Sequence, residues 1–189
     1  MAHPFFEETF SKIDFTKQEL EKGEYEACVF EECDFSDLNL SGFRFVQCTF
    51  EECNLSLIKL GNTTLNEITF TDCKMLGFPL EHANPFGLEV AFNACALNHA
   101  SFYKLKLKNT RFSNCKLEEA DFSECDLSAA VFDECDLSGA VFDQTNLEKA
   151  DLRTAVRYVI NPSSNRIKKA KFSLRGVAGL LAQHDIIIE

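Results

Sequence analysis

The sequence predicts an all-β solenoid. A large apolar residue recurs at every fifth position over most of the chain, and all nine cysteines fall two residues before such a position. The choice of aromatic is also skewed, with 19 Phe against 3 Tyr and no Trp, as expected of an architecture that repeats one interior pocket. Such self-similarity marks a stack of like units rather than a core assembled once.

The fifth residue is large and apolar sixteen times in succession from Phe5 to Leu80, then thirteen times more from Phe92 to Leu152, two residues out of phase. A period of five matches neither a helical turn nor the alternation of a strand. Two inward positions separated by two, followed by outward ones, describe a short extended side and a turn. Stacked coils of that kind pair their backbones about 4.8 Å apart and align identical side chains in interior ladders. The position two before a centre is usually small or modest in size, as at Ala100, Thr110 and Ala120, and it takes Cys28, Cys33, Cys48, Cys53, Cys73, Cys95, Cys115, Cys125 and Cys135. Cysteine suits it as a small buried residue. An odd number with no CxxC pair fits neither a disulfide framework nor a zinc site.

The stretches ACVFEECDFSDLNL, ADFSECDLSAAVFDECDLSGAVF and TNLEKADL resemble the pentapeptide repeat family, whose shorthand is A(D/N)LXX, over about residues 5 to 157. The resemblance implies a right-handed quadrilateral β-helix with four pentapeptides per coil and about seven coils. Cys33, Cys53 and Cys73 would then stack on one face, as would Cys95, Cys115 and Cys135. Residues 1–157 are expected to form the β-helix, with a register break near 81–91, and 158–189 a loop, a partial coil and a short C-terminal helical cap.

Leu80 and Phe92 are twelve apart, and Pro85 and Gly87 between them are turn formers. His82, Asn84, Pro85 and Phe86 are candidates for a protruding partner contact; an irregular corner that resets the register is the other reading. Ser173 is expected to cap a helix whose Leu174, Val177, Leu180 and Leu181, with Ile186, Ile187 and Ile188 beyond, close the rod. The ending KKAKFSLRGVAGLLAQHDIIIE resembles the tail of many bacterial pentapeptide repeat proteins, including the quinolone-resistance group, which implies a homodimer joined there.

No apolar run reaches the length of a membrane span and the start lacks a signal-peptide pattern, so a cytoplasmic protein is expected. The four histidines are scattered, no phosphate-binding or nucleophile motif occurs, and neither catalytic residues, metal nor cofactor are expected. Net charge is −11, which disfavours direct nucleic-acid binding. Residues 1–150 hold 27 acidic and 12 basic residues, and 151–189 hold 3 and 7.

The densest acidic stretch, from Lys116 to Glu148, includes Asp121, Glu124, Asp126, Asp133, Glu134 and Asp136, read as one acidic partner-binding face. Such carboxylates keep a Phe-rich rod soluble, or they present a field like that of duplex DNA, whose charge recurs about every 1.7 Å. The resemblance implies the second: several members act as DNA mimics that bind DNA gyrase or topoisomerase IV and protect it from quinolones or toxins. A general protein-interaction scaffold is the alternative.

Overall fold

Each five-residue unit makes one side of a coil because its centre and the residue two before it turn inward, while the residue two after it sits at the corner with positive φ. Among the described residues twenty-four non-glycine positions adopt that left-handed conformation, including Glu32, Glu52, Lys104 and Glu124. Left-handed backbone is costly for an L side chain, so the stacked coils must hold these corners in place.

The computed structural model describes residues 4–184, 186 and 187. It is a right-handed quadrilateral β-helix of about eight turns. Side A carries nine parallel strands, from Thr9–Ser11 to Lys171–Phe172, with Phe30, Phe50, Phe70, Phe92, Phe112 and Phe132 in register. Sides B and C are joined by single bridges, such as Asp14↔Asp34 on B and Ser101↔Asp121 on C. Side D starts as a four-stranded sheet, Pro4–Phe6, Glu24–Glu26, Arg44–Val46 and Thr64–Asn66, and resumes above the insertion with Lys106↔Asp126.

The core is a column of stacked rings. Phe112 lies 5.2 Å from Phe92 and 4.9 Å from Phe132, stacked nearly parallel to both, and meets Phe102 and Phe122 edge to face. Both geometries suit the ring quadrupole. All centres are buried except the half-buried Phe5, Phe10 and Leu20 at the open N-terminal end.

The inner small position turns out to be a hydrogen-bonding slot. Cys48, Cys53 and Cys73 each donate Sγ–H to the carbonyl of the centre one coil below, Tyr25, Phe30 and Phe50, at 3.3 Å. Thr63, Thr145 and Asn165 serve Leu40, Phe122 and Phe142 in the same way at 2.7, 2.8 and 3.0 Å. The two expected cysteine stacks form one column, because Lys74 pairs with Ala96 and Phe70 with Phe92 across the register break. All nine thiols are free and buried.

The polar segment after residue 157 continues the coil: Asn146 pairs with Arg166 and Leu152 with Phe172. This gives eight turns in place of about seven. The expected capping helix is not α-helical; Val177–Leu180 and Ala182–His184 are 3₁₀ turns. Ser173 is not its cap: Gly176 holds the N-cap position of Val177–Leu180 without a side-chain bond, and Ser173 Oγ accepts from Gly176 N at 3.0 Å within the turn before it. Gly176 and Gly179 lie so close to Tyr158 that a Cβ on either would fall 2.1 Å from a Tyr158 oxygen. Ile160 N donates to Gly179 O at 3.1 Å, so this segment covers the last coil's edge through backbone pairing rather than as an amphipathic helix.

Candidate protein-binding surfaces

The twenty-residue coil wraps neighbours in sequence onto different sides. The six acids expected to share a face are therefore dispersed: Asp121 stands on side C, Glu124 at the C–D corner, Asp126 on D, Asp133 on A, Glu134 at the A–B corner and Asp136 on B. Asp121, Asp126 and Asp136 also have local work, their Oδ1 accepting from the backbone N–H of Ser123, Ser128 and Ser138 at 2.8, 3.1 and 3.1 Å. This explains the Asp or Asn before the centre in the repeat, since such a side chain stabilises the turn after it.

Four of the six meet a cation from a neighbouring coil: Glu124 with Lys104 at 3.4 Å, Asp126 with Lys108 at 3.3 Å, Asp133 with Arg111 at 3.2 Å, and Asp136 with Arg157. The Arg157 guanidinium holds the Asp136 carboxyl below its ordinary value. Partial burial raises that of Asp126, but bonds from Ser128 and Lys108 outweigh it and the net direction is down.

A more continuous acidic strip lies lower on the rod. On side A Glu31 and Glu51 are directly in register, and at the adjoining corner Glu32, Glu52 and Asp72 follow one another coil by coil. Lys12 pairs with Glu32 at 3.3 Å; among the described residues Glu51, Glu52 and Asp72 have no cation partner. The signal for this strip was present in the sequence as a spacing of twenty, not as a dense run.

At the register break Leu80–His82 forms a 3₁₀ turn and the two extra residues are taken up before Val90. His82 is exposed beside Glu81, and Asn84 Oδ1 accepts from Phe86 N at 3.0 Å, setting a tight turn behind Pro85. Phe86 is 88% exposed over a cleft of about 310 Å³ lined also by Leu88, Lys104 and Lys106. Next to it, along the D–A corner, runs a groove of about 700 Å³.

At the C-terminal end Leu174, Val177, Ile186 and Ile187 are exposed, whereas Leu180 packs on the core and Leu181 is half-buried. Ile188 lies outside the described residues. Val156 and Val159 of the last coil are exposed as well.

Among the described residues no group of His, Cys, Asp or Glu is arranged to hold a metal ion, and no helix is long and apolar enough to cross a membrane. Burial pushes the Cys48 thiol up to about 11 and that of Cys125 to about 12, the reverse of what a reactive cysteine needs.

A parallel β-solenoid with five-residue sides, an inward residue, often Cys, Ala or Thr, two before the centre and often an Asp or Asn directly before it defines the class of protein. The family model for the pentapeptide repeat region matches residues 23–84 and 88–159, leaving out the extra residues of the register break, and the chain belongs to the pentapeptide repeat family. Among curated proteins none matches it in sequence. Of solved structures it is similar to a trypsin-treated variant of QnrB1, a plasmid-mediated fluoroquinolone resistance protein, with a TM-score of 0.64 and 17% identity over 100% of this chain and 99% of that one. Full-length QnrB1 gives 0.52 and 16%, over 98% and 100%. HetL, a pentapeptide repeat protein involved in heterocyst differentiation regulation from a Nostoc cyanobacterium, gives 0.49 and 17%, over 89% and 84%. At these identities the likeness is one of fold.

Proposed function

We propose that this chain is a non-enzymatic binding protein of the cytoplasm that engages a type II topoisomerase, DNA gyrase or topoisomerase IV, through carboxylates standing in for duplex DNA, and that two copies join through their C-terminal caps. The observation that carries the reading is the in-register strip of Glu31, Glu51, Glu52 and Asp72, where like charges recur at the coil spacing of about 4.8 Å. Uncompensated repetition of that kind costs the rod self-repulsion, and it suits a surface that a cationic DNA-binding groove recognises. A fluoroquinolone resistance protein shares the fold, in keeping with this choice of partner. The exposed Leu174, Val177 and Ile187 support the dimer.

The test is gyrase supercoiling with and without a quinolone while the chain is titrated. Relief of quinolone inhibition, or inhibition of supercoiling, that fades as salt rises supports the reading, because an electrostatic interface is screened. Absence of both at every ratio refutes it. Phe86 favours a second reading, a scaffold that binds its partner through a shape-specific loop. Retention of a lysate partner by Phe86→Ala, and its loss when Glu31, Glu51 and Glu52 become Gln and Asp72 becomes Asn, decides for the first; the opposite pattern decides for the second.

A further inference from the structure

The acidic rod contains one basic band. From Val90 to Leu117 there is no Asp or Glu, while Lys104, Lys106, Lys108, Arg111 and Lys116 supply five of the chain's nineteen cations. The band sits directly above the register break, and Lys106, Lys108 and Arg111 line the groove of about 700 Å³ along the D–A corner. Lys108 pairs with the half-buried Asp126 and Arg111 with the half-buried Asp133, and Arg111 Nε also donates to Ser113 Oγ at 3.0 Å; such surface pairs exchange readily for other carboxylates. Lys106 is exposed and has no carboxylate partner among the described residues.

The backbone ladder is open at the same place. On side D the corner amides of Glu7, Ala27 and Gln47 each donate to the coil above, at 3.0, 2.9 and 2.8 Å, and the amides of Asp126, Asn146 and Arg166 each donate to the coil below, at 2.9, 2.8 and 3.0 Å. The equivalent upward amide of Glu67 and downward amide of Lys106 have no backbone partner among the described residues. The inserted chain is drawn aside, its Gly87 O tied to Asn66 Nδ2 at 2.8 Å. Two unpaired donors thus border the inserted loop, whose Leu88 packs on the core and whose Glu89 N donates to Leu65 O at 3.2 Å, in a groove lined by the cations Lys106, Lys108 and Arg111 together with Glu67 and Glu89.

We propose that this corner docks an extended acidic segment of a partner protein, whose carbonyls meet the free amides of Glu67 and Lys106 and whose carboxylates meet Lys106, Lys108 and Arg111. Open ladder amides select an extended peptide, as in strand addition. Duplex DNA is disfavoured by the net charge of −11 and by the acidic coils on both sides of the band. The inference goes beyond the topoisomerase reading and uses different side chains, so either stands if the other fails.

The test is fluorescence anisotropy of the full chain with a short labelled Glu/Leu-alternating peptide, a Lys/Leu peptide of equal length and a labelled duplex DNA, joined to amide hydrogen exchange. Saturable binding of the acidic peptide alone is expected, weakened about tenfold or more by Lys106→Glu with Lys108→Glu and unchanged by Lys59→Glu on side C. Exchange at Glu67 and Lys106 is expected to slow on binding. Any of four results overturns the proposal: no saturable binding, equal binding of the basic peptide or DNA, indifference to the Lys106 and Lys108 reversal, or binding that leaves both amides exchanging as before. Thermal melts confirm that the exposed substitutions leave the rod folded.

Discussion

Replacing Phe112 by Ala removes a fully buried ring that is stacked on Phe92 and Phe132 and touched at its edges by Phe102 and Phe122. A buried Phe→Ala change costs about 3 to 5 kcal/mol when the site cannot collapse. Here it cannot, because neighbouring coils are fixed by ladder bonds such as Lys116 N to Cys95 O and Asp136 N to Cys115 O, at 2.9 and 3.0 Å. The loss therefore belongs at the upper end of that range. At roughly 2–4 °C per kcal/mol for a chain of this size, the melting midpoint falls by about 10 to 20 °C. Phe10→Ala, at the half-buried open end, serves as the comparison and should cost about 1 to 2 kcal/mol. Urea and thermal unfolding followed by far-UV circular dichroism reads both. A Phe112→Ala loss under about 1 kcal/mol, or one no larger than that of Phe10→Ala, would refute the stacked-ring account of stability.

Thiols raised by burial keep their protons in the folded state to higher pH than in the unfolded chain, so stability is flat below the ordinary thiol value near 9 and falls as pH rises from there through about 11 to 12; unfolding midpoints across pH 7 to 11 check it. A thiol reagent at neutral pH should label few of the nine cysteines in native protein and all of them after denaturation. Asp121→Ala should cost about 1 kcal/mol by freeing the Ser123 amide, whereas Asp121→Asn keeps the bond and should cost little; chemical denaturation of the pair separates turn capping from charge. Leu174→Asp with Ile187→Asp should shift light scattering from dimer to monomer without lowering the melting point of the rod, and a dimer unaffected by both would move the interface elsewhere.

Much of the fold was legible because a solenoid writes its interior as a short period: the centres, the small position and the break after Leu80 all follow from counting. What counting by five could not reveal was which outward residues share a side. That is fixed by the twenty-residue coil, which carries Asp121, Asp126, Asp133 and Asp136 onto four different sides although they lie close in sequence. The left-handed corners were equally hidden, since Glu32 and Lys104 give no local sign of a positive φ that stacking alone imposes. The cysteines read as small apolar fillers, yet most of them sit beside a carbonyl of the coil below that accepts a hydrogen bond, and Thr63, Thr145 and Asn165 donate there in the same way. The helix expected after Ser173 yielded to Gly176 and Gly179, whose close approach to Tyr158 left no room for an amphipathic face.

Direct competition for a purified type II topoisomerase, between the full chain and a labelled duplex, bears on the DNA-mimic reading with the fewest intermediate steps. Mutually exclusive binding is predicted, with displacement of the duplex that weakens as salt rises and is lost when Glu31, Glu51 and Glu52 become Gln and Asp72 becomes Asn. Simultaneous binding of chain and duplex, or no binding of the chain at low salt, would contradict it.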